Sequence, residues 1–383
     1  MTDEALDVLV VGSSPLLLIE ALYLAHTGRR VTIAEQRARF GGAWSTRPLW
    51  EFESVEIACH YVERGRRGYA LLRDGLGIEL EPRSVKAVWL NADASPRGKP
   101  YSRTFAVWLL RKALWGRFLS DDAWGVIKSL GRKDPFKFGR AVRRMLVQPP
   151  YLYPVKGSKA LVDALVRLVR SSPIVLMNNA RVEEVVLGEN GRPSRCCING
   201  RTCSMNTLVL GQHVYARLPM AEAAASEPEA QYEINVLLRV AGAKAVPFDY
   251  IEIHRNDLVN RVADVSAFAH LPASAAQRSS DLLICCNLTG PGDKESTVVA
   301  TNVFTHLIEV GLLARGSELL DSHVERYPTP LKTAFESTDA VRVLRTYDLG
   351  VELERNADRW QSVLVSAPAT EPLERAGRVR ARG

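Results

Sequence analysis

The Val-rich stretch Leu6 to Val11, apolar except at Asp7 and halted by Gly12, constrains this chain more than any other segment. Apolar residues at successive positions suit a strand covered on both faces, as in a parallel sheet, and a parallel strand needs a crossover element to reach its neighbour. Leu16 to His26 supplies one: Leu, Ile and Ala recur at helical spacing, Ser14 stands at the capping position, Pro15 suits the first turn and Gly28 ends it. Arg30 to Glu35 then predicts a second strand, and the resulting βαβ unit has the length of half a dinucleotide-binding sheet. Glu35 falls about twenty residues after Gly12, where a carboxylate can accept both hydroxyl protons of an adenosine ribose.

At roughly 150 residues per domain, a chain of 383 residues is expected to form two or three units. Hydrophobic residues at 46% and charged residues at 24% exclude wholesale disorder and collagen-like repeats. The six cysteines include the adjacent pairs Cys196/Cys197 and Cys285/Cys286, with no CxxC or Cys/His ligand spacing, which reads as reduced thiols and no metal site. Residues Met1 to Asp7 carry acids rather than a basic region, and the apolar run is broken by Gly12, Ser13, Ser14 and Glu20, so neither a signal peptide nor a membrane span is expected. That points to a soluble, cytoplasmic protein. The net charge of +7 is local: Arg103 to Arg144 holds eleven Lys/Arg against three Asp, leaving the remainder near neutral and disfavouring a nucleic-acid binder.

Residues 6 to 44 resemble the FAD-binding start of the flavin amine oxidase superfamily, which includes protoporphyrinogen oxidases and UDP-galactopyranose mutases. The features that carry the likeness are Gly12, the terminal Glu35 and the following Gly41-Gly42-Ala43-Trp44. Where that family has GxGxxG, this chain reads Gly12-Ser13-Ser14-Pro15-Leu16-Leu17, with Ser14 and Leu17 in place of the second and third glycines. The second glycine admits the pyrophosphate and the third allows close helix-to-strand packing. Ser14 can turn a hydroxyl to phosphate, whereas Leu17 has to push the helix off the sheet or point elsewhere. Arg37 and Arg39 read as a basic loop, and Gly41-Gly42 as a turn whose N–H groups can approach an anion.

The likeness extends to roughly residue 215. Glu56 to Tyr61, running through Tyr69 and Leu72 to Gly75-Leu76-Gly77-Ile78, is similar to the family segment in which a histidine lies near the cofactor ring, which makes His60 a candidate. Tyr153 to Leu161 resembles the element opening a long helix, here with Lys156-Gly157-Ser158 for the usual glycine pair. Strands are expected at Ile174 to Met177 and Asn178 to Val186. The second resembles the strand that touches the FAD adenine, with Val182 as the matching residue. Arg195 to Ile198 and Arg201 to Met205 predict a meander, and Thr207 to Leu210 a separate returning strand. The resemblance therefore implies FAD as cofactor, with Gly12, Ser13, Ser14, Glu35, Gln36, Gly41, Gly42, Ala43, Trp44 and Val182 around it.

The fold expected is α/β: a Rossmann-like FAD/NAD(P)-binding domain with an inserted helical and mixed-sheet substrate domain. Its boundaries are read as nucleotide-binding parts at 1–90 and 151–220, a helical basic lobe at 91–150, a substrate-domain sheet at 221–335, a return to the nucleotide domain at 336–366 and a loose tail at 367–383. The basic lobe offers Arg111, Lys112, Arg117 and Arg140 to an anionic small-molecule substrate, or an amphipathic face to an anionic membrane, or a plain solvated surface. His254 and Arg255 are further substrate-side candidates by resemblance. The Gly-Asp strand that closes the family's fold is absent, and Val341 to Leu353, then a strand-like Val363 to Ser366, stand in its place. Two functions remain open: an FAD-dependent oxidoreductase, including a redox-neutral mutase-like variant, and a flavin-less accessory or binding protein of the Rab dissociation-inhibitor kind. The sequence names no catalytic acid or base.

Overall fold

The computed structural model describes residues 5–57, 60–63, 66–82, 85–89, 151–188, 191–215, 218, 231–242, 250–254, 258–271, 281–292, 294–329, 338–346 and 349–364. The basic lobe, with Arg111, Lys112, Arg117 and Arg140, lies outside these residues, as do Arg255 and the tail.

The opening unit forms as its hydrophobic pattern requires. β1 (Ala5–Val11) pairs in parallel with β2 (Val31–Glu35), and α1 (Pro15–His26) joins them. Val8, Leu9 and Val10 are fully buried, so both faces of β1 are covered. One face, with Val8, Val10, Val31 and Ile33, packs on α1, the helix Gly157–Arg170 and the helices Leu349–Arg355 and Ala357–Leu364. The other, with Leu9, Val11 and Ala34, packs under the strands Val182–Leu187 and Pro193–Ile198. Each large apolar side chain moved from water into such a core contributes about 1.5–3 kcal/mol.

Around β1 the parallel order is Val175–Asn178, β2, β1, Arg201–Gly211 and Val341–Leu344. Arg201 to Met205 and Thr207 to Leu210, expected as two strands, are one. Its first half pairs antiparallel with Pro193–Ile198 and its second half parallel with β1 and Val341–Leu344, so backbone pairing carries the strand past the exposed Asn206. Val363 was expected in a strand but lies in the last turn of the helix Ala357–Leu364, whose Trp360 and Leu364 are fully buried. A further helix spans Ser296–Glu309.

A second sheet has the order Glu318–Pro328, Gln231–Ala241, Leu282–Pro291, Arg261–Asp264, Tyr250–His254 and Val85–Trp89. One face, with Ile234, Val236, Leu238 and Ile284, packs under the helix Ser296–Glu309. The other meets the segment 49–61 through Leu237, Leu283 and Cys285 against Phe52, Val55 and Ile57. Strand alternation thus turns this second face toward the segment 49–61. Among the described residues no helix is long and apolar enough to cross a membrane.

The segment that precedes the helix Gly157–Arg170 is fastened by Glu56. This buried carboxylate accepts from the Tyr153 hydroxyl and from the Ser158 N–H at 2.5 Å, meeting an amide at the helix start that has no intrahelical acceptor. Gly157 has φ +77, and a Cβ there would stand 2.5 Å from Glu56 Oε1 and 3.1 Å from Phe268. Gly157→Ala is expected to cost about 2 kcal/mol or more, from the left-handed backbone and the displaced carboxylate, measured as a fall in urea stability.

Candidate functional site

The residues singled out around Gly12 and Glu35 converge at the carboxyl ends of β1 and β2. Gly12 N–H donates to Ala34 C=O at 2.8 Å, which ties the turn to the end of β2. Ser13, 1% exposed, donates its hydroxyl to Glu35 Oε2 at 2.5 Å and accepts from Gly41 N–H at 2.9 Å. The other oxygen, Glu35 Oε1, accepts from Arg37 N–H at 2.9 Å. Ala180 N–H reaches the backbone C=O of Glu35 at 2.9 Å, so the chain entering Val182 runs beside the end of β2. Gln36 follows it directly in the chain. The structure therefore gathers Gly12, Ser13, Ser14, Glu35, Gly41, Gly42 and the approach to Val182 into one place.

Three expectations about this place change. Ser14 precedes α1, but its side chain makes no capping bond: its Oγ is buried without a hydrogen-bond partner. Glu35 is 4% exposed and already holds two internal donors. Arg37, read as part of a basic loop, pairs with Glu325 at 3.3 Å and lies over the Tyr327 ring. Sequence reasoning missed this partner because the strand Glu318–Pro328 has little apolar alternation to announce it.

Leu17 points into the core. It is 2% exposed, and its Cδ1 lies 3.3 Å from where a Gly12 Cβ would stand. Gly12, Ser14, Gly42 and Ala43 stay half-buried, so the rim of the turn is still reachable. Gly42, at φ +58, packs so closely that a Cβ would meet Ser14 Cα at 3.3 Å, which is why the loop needs glycine here. The first bond of α1 runs from Leu18 N–H to Ser14 C=O at 3.0 Å, leaving the Leu16 and Leu17 amides ahead of it with no intrahelical acceptor. A half-open helix start with an orphaned hydroxyl can hold a phosphate group.

Trp44 and His60 form the other end of the site. Their rings stack with centroids 4.2 Å apart and planes 4° off parallel, and Trp44 is buried. His60 Nε2 is 2.8 Å from Ala43 C=O. A carbonyl only accepts, so Nε2 carries the proton and Nδ1 presents a lone pair. Burial lowers the His60 pKa to about 4, the Ala43 carbonyl opposing and the Arg261 charge assisting, so the ring is neutral at physiological pH. His254 ends the strand Tyr250–His254.

Glu325 anchors the loop between Glu35 and Trp44 from the second sheet. It takes Arg47 at 3.0 Å as well as Arg37, and accepts from the Tyr327 hydroxyl. Burial opposes its ionisation, but the imidazole of His323 at 3.6 Å, the bond from the Tyr327 hydroxyl and the two arginine charges outweigh that and hold it at about 2. Burial and the Glu325 charge push Tyr327 to about 12.

No protein-family model and no curated protein matches this sequence. Solved structures do match in fold. A protein assigned as a protoporphyrinogen oxidase from Exiguobacterium sp. 255-15 aligns with TM-score 0.60 at 13% identity, over 94% of this chain and 98% of its own. An oxidoreductase from Methanosarcina mazei aligns at 0.58 and 15% identity, over 94% and 99%. A Rab GDI from Plasmodium falciparum aligns at 0.53 and 10% identity, over 94% and 98%. Likeness at such identity speaks for architecture alone: this chain has the mixed α/β fold of these solved structures.

Proposed function

We propose that the chain is an FAD-dependent oxidoreductase-like protein, with the dinucleotide at the carboxyl ends of β1 and β2 and an anionic small molecule as substrate. The observation that carries this reading is the orphaned Ser14 Oγ, buried at a helix start whose rim residues Gly12, Gly42 and Ala43 are half-exposed. A buried hydroxyl without a partner costs about 1–3 kcal/mol, which a bound phosphate oxygen would recover. The residues present fit the group. Ser14 Oγ and the leading amides of α1 would hold the diphosphate, Glu35 the ribose, and the strand opening at Val182 the adenine side. FAD, when bound, would supply the two-electron chemistry. The chain's own part is to orient and shield: Trp44 and His60 stack beside the Ala43 turn, and the neutral His60 offers a hydrogen-bond acceptor at Nδ1.

A flavin-less binding protein is the second reading, favoured by two observations. The Ser13 hydroxyl occupies an oxygen of Glu35, and the strand Val341–Leu344 ends in Leu344, which joins Leu16, Leu17 and Leu349 in one apolar cluster where the family closes with Gly-Asp. Purification separates the two. The flavin reading expects yellow protein that releases FAD on heat denaturation, and a Glu35→Ala variant that binds FAD about tenfold or more weakly. Ser13→Ala, which frees a Glu35 oxygen, is expected to tighten FAD binding several-fold. Colourless protein whose melting temperature does not move in excess FAD supports the accessory role.

A further inference from the structure

Two of the cysteines face each other across a hairpin. The strands Pro193–Ile198 and Arg201–Gly211 are joined at Asn199-Gly200, whose φ values of 49 and 73 suit a two-residue turn. The turn fixes the register, and the register sets Cys196 directly opposite Cys203. Opposed residues of an antiparallel pair have Cα atoms about 4.5–5.5 Å apart, inside the range of about 4.4–6.8 Å that a disulfide spans. Both residues are thiols. Cys196 is 2% exposed, held between Val185 and Cys203 in the core that contains Leu9 and Leu208. Cys203 is half-buried at the rim of the same core, so solvent reaches it.

The adjacent Cys197 is turned to the opposite face by strand alternation, and there its Sγ donates to Glu183 Oε2 at 3.1 Å. Burial, with the neighbouring Cys203 and Cys197 adding to it, pushes Cys196 up to about 12. Cys196 therefore keeps its proton at neutral pH, and Cys203 supplies the thiolate of the pair.

We propose that Cys196 and Cys203 form a reversible oxidation site, closed by a peroxide into a disulfide across the hairpin. The Cys203 thiolate attacks one peroxide oxygen, the O–O bond breaks, hydroxide leaves and a sulfenic acid remains. The Cys196 sulfur then attacks the Cys203 sulfur: the S–S bond forms, the S–O bond breaks, and the departing hydroxyl takes the Cys196 proton as water. The two thiols lose two electrons, and the peroxide ends as two waters carrying both thiol protons. The bond ties Pro193–Ile198 to Arg201–Gly211 just before Ser204, which pairs with Arg195 on one side and with Ala5 of β1 on the other. Oxidation thus locks the hairpin where the long strand changes partner. The site stands whether or not the chain binds flavin.

Peptide mapping of the full chain after hydrogen peroxide tests it, with remaining thiols alkylated and trypsin applied without reductant. Cleavage after Arg195 and Arg201 places Cys196 and Cys197 on one peptide and Cys203 on the next. The two peptides are expected to stay joined, two hydrogens lighter than their sum, and to separate in dithiothreitol. The link should persist in Cys197→Ser and vanish in Cys196→Ala and in Cys203→Ser, whose rim position spares the core. Amides of Pro193–Ile198 should exchange several-fold more slowly in the linked protein, and no more slowly in peroxide-treated Cys203→Ser. A link that survives in Cys196→Ala, a Cys203 joined to another cysteine, a Cys203 that stops at a sulfur acid, or an unreactive Cys203 overturns the proposal. Unchanged exchange in linked protein overturns the lock.

Discussion

Glu325→Ala is expected to lower stability by about 3 kcal/mol near neutral pH, the largest loss for any single side chain at the site. Glu325 is 12% exposed and holds Arg47 and Arg37, themselves only partly exposed, so its removal leaves two guanidinium groups in poorly solvated positions. The same contacts lower its carboxyl from 4.5 to about 2, which corresponds to about 3 kcal/mol of preference for the ionised folded state. The sign follows: the folded state binds the Glu325 proton less readily than the unfolded chain, so the contribution is full above about pH 4.5 and is lost as pH falls toward about 2. Urea titrations of wild type and variant should show a stability gap that is constant at neutral pH and closes across that acid window. A gap that persists unchanged at the acid end would show that packing, rather than charge, accounts for the loss. The variant should also bind FAD more weakly, because Arg37 and Arg47 bracket the Gly41-Gly42 loop.

The second large effect is expected at Glu20, which lies on α1 with no solvent exposure. It accepts from Arg359 and from Trp360 Nε1 at 3.0 Å, and Arg342 stands 3.2 Å away. Arg359 in turn lies 4.1 Å over the Tyr23 ring. Burial raises the Glu20 pKa against the pull of Arg359 and Trp360. Glu20→Ala strands the indole N–H and the guanidinium, at a cost of about 3–4 kcal/mol, whereas Glu20→Gln keeps an acceptor for Trp360 and should lose less than half as much. Thermal unfolding gives the totals. Hydrogen exchange locates them, since amides of the helix Ala357–Leu364 should exchange faster in Glu20→Ala than those of β1. Equal acceleration in both elements would mean that Glu20 supports the whole fold rather than the docking of the last helix.

Much of the opening unit is legible from residues alone. A strand buried on both faces, a helix begun by proline and ended near glycine, and a second strand closed by Glu35 are all local patterns, and each element falls within a residue or so of its expected place. The strand Glu318–Pro328 was not legible, because His323, Glu325 and Tyr327 on its inward face are polar and only pairing with Gln231–Ala241 makes it a strand. The break assumed at Asn206 misled for a related reason: a single exposed polar residue interrupts the hydrophobic pattern without interrupting the ladder.

Periodicity and turn chemistry act over a few residues, so the sequence by itself determined the βαβ corner and the residues gathered at its rim. Which polar atoms satisfy one another was decided only in three dimensions. Ser13 finds Glu35 at a separation of 22 residues, Arg47 finds Glu325 at 278, and Arg359 finds Glu20 at 339. Such pairs leave no local signature, because a charge buried in a folded core is stabilised by whatever the fold brings against it, and chain separation has no bearing on that distance.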